Sequence, residues 1–246
     1  MSKIREAFNG KKAFIGFLTA GDPSLEKTEE FIIEMASAGA ALIEIGIPFS
    51  DPIAEGPVIQ GANVRALSAP GGCTTDMIFD MVARVSKKVS VPLVFLTYLN
   101  PVFKYGYEAF CKKCSETGIC GLIIPDMPFE ERVELIPAAE KYEVDIISLI
   151  APTSRNRIQM IAKEAKGYIY IVSSMGVTGI RNEITTNIEE IVENIRRGLK
   201  EKDGYCPCRL PKLPEYKCMC EEFKAQIADP DFEGYCHCML YYKSKD

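Results

Sequence analysis

Two groups of residues in this chain have types and spacings that can do chemistry. The first is a set of carboxylates, Glu44, Asp51 and Glu55, within the stretch Leu42 to Pro57, Leu-Ile-Glu-Ile-Gly-Ile-Pro-Phe-Ser-Asp-Pro-Ile-Ala-Glu-Gly-Pro. Glu44 stands inside the run Ala40 to Ile47, whose β-branched and apolar residues read as a strand buried on both faces. Burying an unpaired charge is costly. Glu44 therefore has either a hydrogen-bonding partner or a place at the strand end with a raised pKa, poised to exchange a proton. Glu44 and Glu55, in separate environments, suit an acid and a base of different pKa.

The second group is three Cys-x-Cys pairs: Cys206 with Cys208, Cys218 with Cys220, and Cys236 with Cys238, the last enclosing His237, the one histidine of the chain. In a chain without an export signal, clustered paired cysteines point to metal or redox chemistry rather than to a disulfide scaffold. Zinc sites more often use Cys-x2-Cys and need four ligands, which leaves two thiols over. Four thiolates for an iron-sulfur cluster plus two for a redox disulfide use all six. Cys73, Cys111, Cys114 and Cys120 lie apart from these pairs and read as packing residues.

The elements that must position these groups follow from the apolar pattern. Short apolar runs at Ala13 to Leu18, Ala41 to Ile45, Val91 to Leu96, Ile119 to Ile124, Val144 to Ile150 and Tyr168 to Val172 read as strands. Amphipathic stretches alternate with them at Leu25 to Ser37, Thr75 to Lys87, Tyr107 to Thr117, Phe129 to Lys141 and Arg155 to Lys166. Strand then helix, repeated, predicts βα units on a parallel sheet. Six strands are reached by residue 172, whereas a closed (β/α)8 barrel needs eight. Beyond that point a capping box, Thr186-Asn187-Ile188-Glu189, and helical spacing of Ile188, Ile191, Val192, Ile195 and Leu199 predict one helix to about Lys202. Asp203-Gly204 stops it, and the cysteine-rich tail begins.

With 246 residues, 47% hydrophobic and 26% charged, the composition is that of an ordinary globular protein. A net charge of −5 argues against a nucleic-acid partner, which would call for a basic patch. Neither a signal-peptide run nor an uninterrupted apolar stretch of about 18 residues is visible, so a cytoplasmic protein without membrane spans is expected.

Active-site residues of a parallel βα fold sit at the carboxyl ends of strands and in the loops that follow. Those positions hold Phe-Leu-Thr-Ala-Gly-Asp-Pro at 17 to 23, Glu44 through Pro57, Thr-Tyr-Leu-Asn-Pro at 97 to 101, Pro-Asp-Met-Pro-Phe-Glu-Glu at 125 to 131, Tyr170, and Gly-Val-Thr-Gly at 176 to 179. On these motifs residues 1 to 183 resemble the tryptophan synthase α subunit family, (β/α)8 barrels that cleave indole-3-glycerol phosphate to indole and glyceraldehyde 3-phosphate without a cofactor. The resemblance implies that Glu44 exchanges protons at indole C3 and that Glu55, often an aspartate in the family, assists at the indole nitrogen. It implies that Phe17, Tyr98 and Tyr170 line the substrate site, that Thr178 contacts the Glu55 side chain, and that Gly179 offers a backbone N–H to the phosphate. A pyridoxal-phosphate β subunit is the implied partner. The family's phosphate loops after strands 7 and 8 have no counterpart in the sequence, so the barrel is expected to be truncated after six βα units, with little aldolase activity.

Residues 184 to 246 resemble the catalytic subunit of ferredoxin:thioredoxin reductase, read as a small cysteine-rich α-helical domain. That resemblance implies a [4Fe-4S] cluster on Cys206, Cys218, Cys220 and Cys236, and a redox disulfide between Cys208 and Cys238 with His237 beside it. Ferredoxin or thioredoxin would be its partner. The alternative activity is thus an iron-sulfur disulfide reductase, and a third reading is a non-catalytic scaffold.

Overall fold

The computed structural model of the chain describes residues 3–8, 12–151, 154, 157–172, 221–229, 234–235 and 242–243. Six strands form one parallel sheet in chain order: β1 (Ile15–Thr19), β2 (Leu42–Gly46), β3 (Leu93–Leu96), β4 (Ile119–Ile123), β5 (Asp145–Ile150) and β6 (Ile169–Ile171). Each pairs with the next, and β1 and β6 are the outer strands of the six among the described residues. All six fall within the runs read as strands, to within a residue. Neighbouring parallel strands joined by helices trace the wall of a (β/α)8-type barrel through six of its units.

The helices are α1 (Lys3–Ala7), α2 (Leu25–Ser37), α3 (Pro57–Ser68), α4 (Thr75–Val85), α5 (Leu99–Tyr105), α6 (Tyr107–Thr117), α7 (Ile136–Lys141) and α8 (Ile158–Glu164). Ser24 and Thr74 cap α2 and α4 by accepting from the N–H groups of Lys27 and Met77, the expected role of a hydroxyl at that position. Gly118, at φ +97°, ends α6 in the left-handed conformation that glycine adopts without strain.

Two differences from the sequence pattern have local causes. The amphipathic stretch 129–141 is broken into a 3-10 turn, Glu131–Glu134, followed by α7, because Pro137 enters α7 near its start, where no N–H is needed. Helix α3 was invisible to periodicity: it buries only the small or polar residues Ala62, Asn63 and Ala66 and leaves Val58 and Val64 exposed.

Successive residues of each strand face opposite sides. Ile43, Ile45, Leu93, Phe95, Leu122 and Ile146 face the helices, where Phe79, Phe95, Phe110 and Tyr105 form an aromatic cluster with ring centroids 5.2–6.3 Å apart. Leu42, Val94, Ile123 and Ile147 face inward and close on Ile4 of α1. This second layer is the floor of the site.

In the tail, the described residues form a helix, Glu221–Ala228, and a two-residue antiparallel ladder of Gly234–Tyr235 with Tyr242–Lys243. The ladder was not read from the sequence, which offers no alternating run there. The helix expected to about Lys202, the candidate ligands Cys206, Cys218, Cys220 and Cys236, the pair Cys208 and Cys238, and His237 lie outside the described residues. No helix of the described residues is long and apolar enough to cross a membrane.

Candidate functional site

Glu44 occupies the middle of β2, not its end, and the alternation of the strand turns it inward between Leu42 and Gly46. It is 6% exposed. Of the two arrangements the sequence allowed, the structure combines a partner with a raised pKa. The Tyr168 hydroxyl donates a 2.7 Å hydrogen bond to Glu44 Oε1 across 124 residues of chain. Burial pushes the Glu44 carboxyl above the usual carboxylate range, and the Tyr168 bond opposes that rise only in part. A carboxyl so placed can hold a proton and give it up to a substrate.

Glu55 lies in the loop between β2 and α3 and is 7% exposed. Asn63, one of the few polar residues on the buried side of α3, donates to Glu55 Oε2 at 2.6 Å. Gln60 donates to the backbone carbonyl of Glu55 at 2.8 Å, which fixes the loop against the first turns of the same helix. The Tyr98 hydroxyl also bonds the Glu55 carboxylate and accepts from the Ala54 N–H at 3.2 Å. Burial raises the Glu55 pKa, while the bonds from Asn63 and Tyr98 stabilise its charged form. Glu55 thus has two side-chain donors where Glu44 has one.

The aromatic residues sit around these acids. Phe17 is the register partner of Glu44 on β1, and its ring lies over Gly46, where an added Cβ would stand 2.8 Å from the ring. A glycine there leaves room for that ring. Tyr98, 1% exposed, precedes α5 and lies against Phe49 with ring centroids 5.2 Å apart. Its place is set from the next strand, because Asp126 in the loop after β4 accepts from the Leu99 N–H at 2.8 Å. Tyr170 faces inward from β6, and its hydroxyl is held neutral first by burial and then by the nearby Glu44 charge.

Of the residues selected from sequence, Glu44, Phe17 and Tyr170 converge on the inner face of the sheet, and Glu55 with Tyr98 form an adjoining cluster. Thr178 and Gly179 lie outside the described residues. Two residues were missed. Tyr168 was within reach of sequence reasoning, because the two-residue period of a strand puts it on the same face as Tyr170. Asn63 carried no signal, since nothing in a lone helical asparagine says that it meets a loop carboxylate eight residues back.

Asp51 is exposed, at the tip of the loop. The remaining cysteines behave as packing residues: Cys111 and Cys114 are fully buried on α6, and burial pushes the Cys73, Cys111 and Cys120 thiols up to about 11. Alkylation with iodoacetamide at pH 8 is expected to spare Cys111 and Cys114 until denaturant is added. Rapid labelling of either in the native chain, read by peptide mass spectrometry, would contradict their burial. No group of three or more metal-ligating side chains occurs among the described residues.

Comparison with known proteins places these observations in a family. A family model described as "Tryptophan synthase alpha chain" matches residues 4–202. The match continues past residue 183, through the segment for which the capping-box helix is expected. The chain is 51% identical over 197 residues to the tryptophan synthase alpha chain of Lacticaseibacillus casei, spanning 80% of this chain and 73% of that protein. It is also 51% identical over 186 residues to the alpha chain of Alkaliphilus metalliredigens, spanning 76% and 69%. Among solved structures, tryptophan synthase of Mycobacterium tuberculosis superposes with a TM-score of 0.71 at 31% identity, covering 80% of this chain and 76% of the other. A chain of the tryptophan synthase a2b2 complex of Pyrococcus furiosus gives 0.68 at 33% identity, covering 75% and 74%.

Proposed function

This chain belongs to the tryptophan synthase alpha chain family, and from that premise we propose that Glu44 and Glu55 form the proton-transfer pair of a lyase that cleaves indole-3-glycerol phosphate to indole and glyceraldehyde 3-phosphate. The observation that carries the roles is Glu44 itself: an inward-facing, buried carboxyl with a raised pKa and one fixed donor. In its acid form Glu44 gives its proton to C3 of the indole ring, and positive charge develops on the ring nitrogen. The Glu55 carboxylate, whose anion Asn63 and Tyr98 favour against the rise in pKa that burial causes, stabilises that charge. Glu44, now a carboxylate, takes the proton of the side-chain hydroxyl. The bond from C3 to the hydroxyl-bearing carbon then breaks, its electron pair returns to the ring to restore indole, and that carbon becomes the aldehyde. No cofactor enters these steps.

Phe17, Tyr98 and Tyr170 supply the apolar and aromatic walls in this reading, and Thr178 and Gly179 would contact Glu55 and the phosphate. A β subunit is the proposed partner, in line with the a2b2 assembly named for the Pyrococcus furiosus structure. The setting is cytoplasmic, as for other enzymes of small-molecule synthesis. The decisive experiment is indole release from indole-3-glycerol phosphate by the full chain. Slow release that depends on Glu44 is expected, because the sequence has no counterpart of the phosphate loops after strands 7 and 8. No Glu44-dependent release would refute the lyase reading, and turnover at the rate of an intact α subunit would refute the expected phosphate-site defect.

A second reading concerns the tail alone. The three Cys-x-Cys pairs favour a [4Fe-4S] cluster on Cys206, Cys218, Cys220 and Cys236 with a Cys208–Cys238 disulfide, serving a disulfide reductase that exchanges electrons with ferredoxin or thioredoxin. The two-domain division at 183/184 goes with it. Iron and acid-labile sulfide are expected after anaerobic purification, and their absence would end this reading.

A further inference from the structure

The N-terminal helix adds no strand to the sheet, yet Ile4 is 0% exposed and sits among the inward residues Leu42, Val94, Ile123 and Ile147. Two glycines make room for it. A Cβ on Gly121 would stand 2.7 Å from Ile4 Cδ1, and one on Gly167 would stand 3.2 Å from Ile4 Cγ2. Gly167 also adopts φ +65°, which glycine tolerates best, immediately before Tyr168. Phe8 closes the last turn of α1 through a 3.2 Å bond from its N–H to the Arg5 carbonyl. Its ring lies 5.3 Å from the Tyr168 ring, tilted by 40°. The Tyr168 hydroxyl then reaches Glu44 Oε1 at 2.7 Å.

We propose that α1 is a positioning element for Glu44: Ile4 locks the helix into the barrel floor, Phe8 braces the Tyr168 ring, and Tyr168 is the positioning residue that holds the Glu44 carboxylate. A tyrosine has two side-chain torsions, so a ring braced on one face delivers its hydroxyl to one point. The other titratable groups acting on Tyr168 are Tyr170 on β6 and Cys120 on β4. Both stay neutral near pH 7, since burial raises the Tyr170 hydroxyl and carries the Cys120 thiol to about 11. Lys3 of α1 acts on Cys120. Tyr168 is accordingly the one side-chain hydrogen-bond donor acting on Glu44 among the described residues.

The proposal rests on reading Glu44 as the proton-transfer residue, but its test does not need turnover. Carboxyl carbon NMR of the full chain labelled with [δ-13C]glutamate follows the Glu44 titration, with the resonance assigned by its loss in Glu44→Gln. Tyr168→Phe keeps the ring and removes the donor. It is expected to raise the Glu44 midpoint by about half a pH unit or more and to leave the Glu55 midpoint where it was. Phe8→Ala is expected to move Glu44 in the same direction by less, and Phe8→Leu, which restores bulk, to return it toward the wild-type value. A Glu44 midpoint unchanged in Tyr168→Phe overturns the role of Tyr168. One unchanged in Phe8→Ala overturns the role of α1. A purely structural tyrosine would lower Tm without moving the midpoint. Loss of lyase activity in the wild-type chain alongside a shift in Tyr168→Phe would refute the reading of the site and leave the positioning intact.

Discussion

Replacing Glu44 by glutamine is expected to lower kcat for indole formation by about 10²- to 10⁴-fold, the usual worth of a positioned acid or base, and to leave KM within a few-fold. Glutamine can still accept from Tyr168, so the fold around the site is kept while the transferable proton is lost. The same substitution should stabilise the protein. The Glu44 pKa is raised in the folded state, so the native chain binds that proton more tightly than the unfolded chain does. Wild-type stability therefore falls as pH rises from the ordinary carboxylate value of 4.5 through the raised folded value, and Glu44 imposes no such cost below that window. Glu44→Gln should show a higher Tm at pH 7 and no advantage at pH 4. Equal Tm curves at both pH values would mean that Glu44 is not buried as a charge. Undiminished turnover would remove it from the chemistry.

Glu55 is expected to separate charge from reach. Glu55→Gln keeps the side-chain length and an acceptor for Asn63 but removes the negative charge, so kcat should drop by about 10²- to 10³-fold, as when a fixed electrostatic contact to the transition state is lost. Glu55→Asp keeps the charge and shortens the chain by one methylene, restoring the residue often found at this place in the family. Turnover within about tenfold of wild type is expected, since losing reach costs less here than losing charge. The 2.6 Å contact with Asn63 and the bond from Tyr98 show that the longer side chain is accommodated by its neighbours. If Glu55→Gln matched wild type, the carboxylate would be a structural anchor for the β2–α3 loop. A KM effect with kcat unchanged would assign it to substrate binding instead.

The two acids differ in how their surroundings treat charge. Glu44 has one donor and lies between apolar strand residues, which favours its proton-bearing form. Burial raises the Glu55 pKa as well, but Asn63 and Tyr98 at its carboxylate oppose that rise with two donors. An acid and a base can coexist in one site when their environments offset burial to different extents in this way. The difference arises because one residue lies inside a parallel strand and the other in a loop that a helix partly covers.

Much of this was legible in the residues alone. The six parallel strands follow from apolar runs at regular spacing, because a sheet covered by helices needs strands that are apolar on both faces. Glu44 stood out as a carboxylate inside an apolar run and Glu55 as a second acid in the loop after it, while Phe17, Tyr98 and Tyr170 were chosen through the motifs that carry the family resemblance. What periodicity could not reveal was α3, whose buried side is alanine and asparagine, and the break in 129–141, which turns on Pro137.

The sequence by itself thus determined the family, the six parallel strands and the choice of Glu44 and Glu55 as candidate acids, because these depend on local residue pattern and on a signature confined to one stretch. Only the tertiary structure decided what holds each acid. Tyr168 reaches Glu44 from 124 residues away, and Tyr98 reaches the Ala54–Glu55 loop from 44 residues away. Such contacts exist only once the sheet curves and brings distant strands onto one inner face. The protonation tendency of Glu44 is likewise a property of that enclosure, since desolvation acts through everything that surrounds the group and not through its neighbours in the chain.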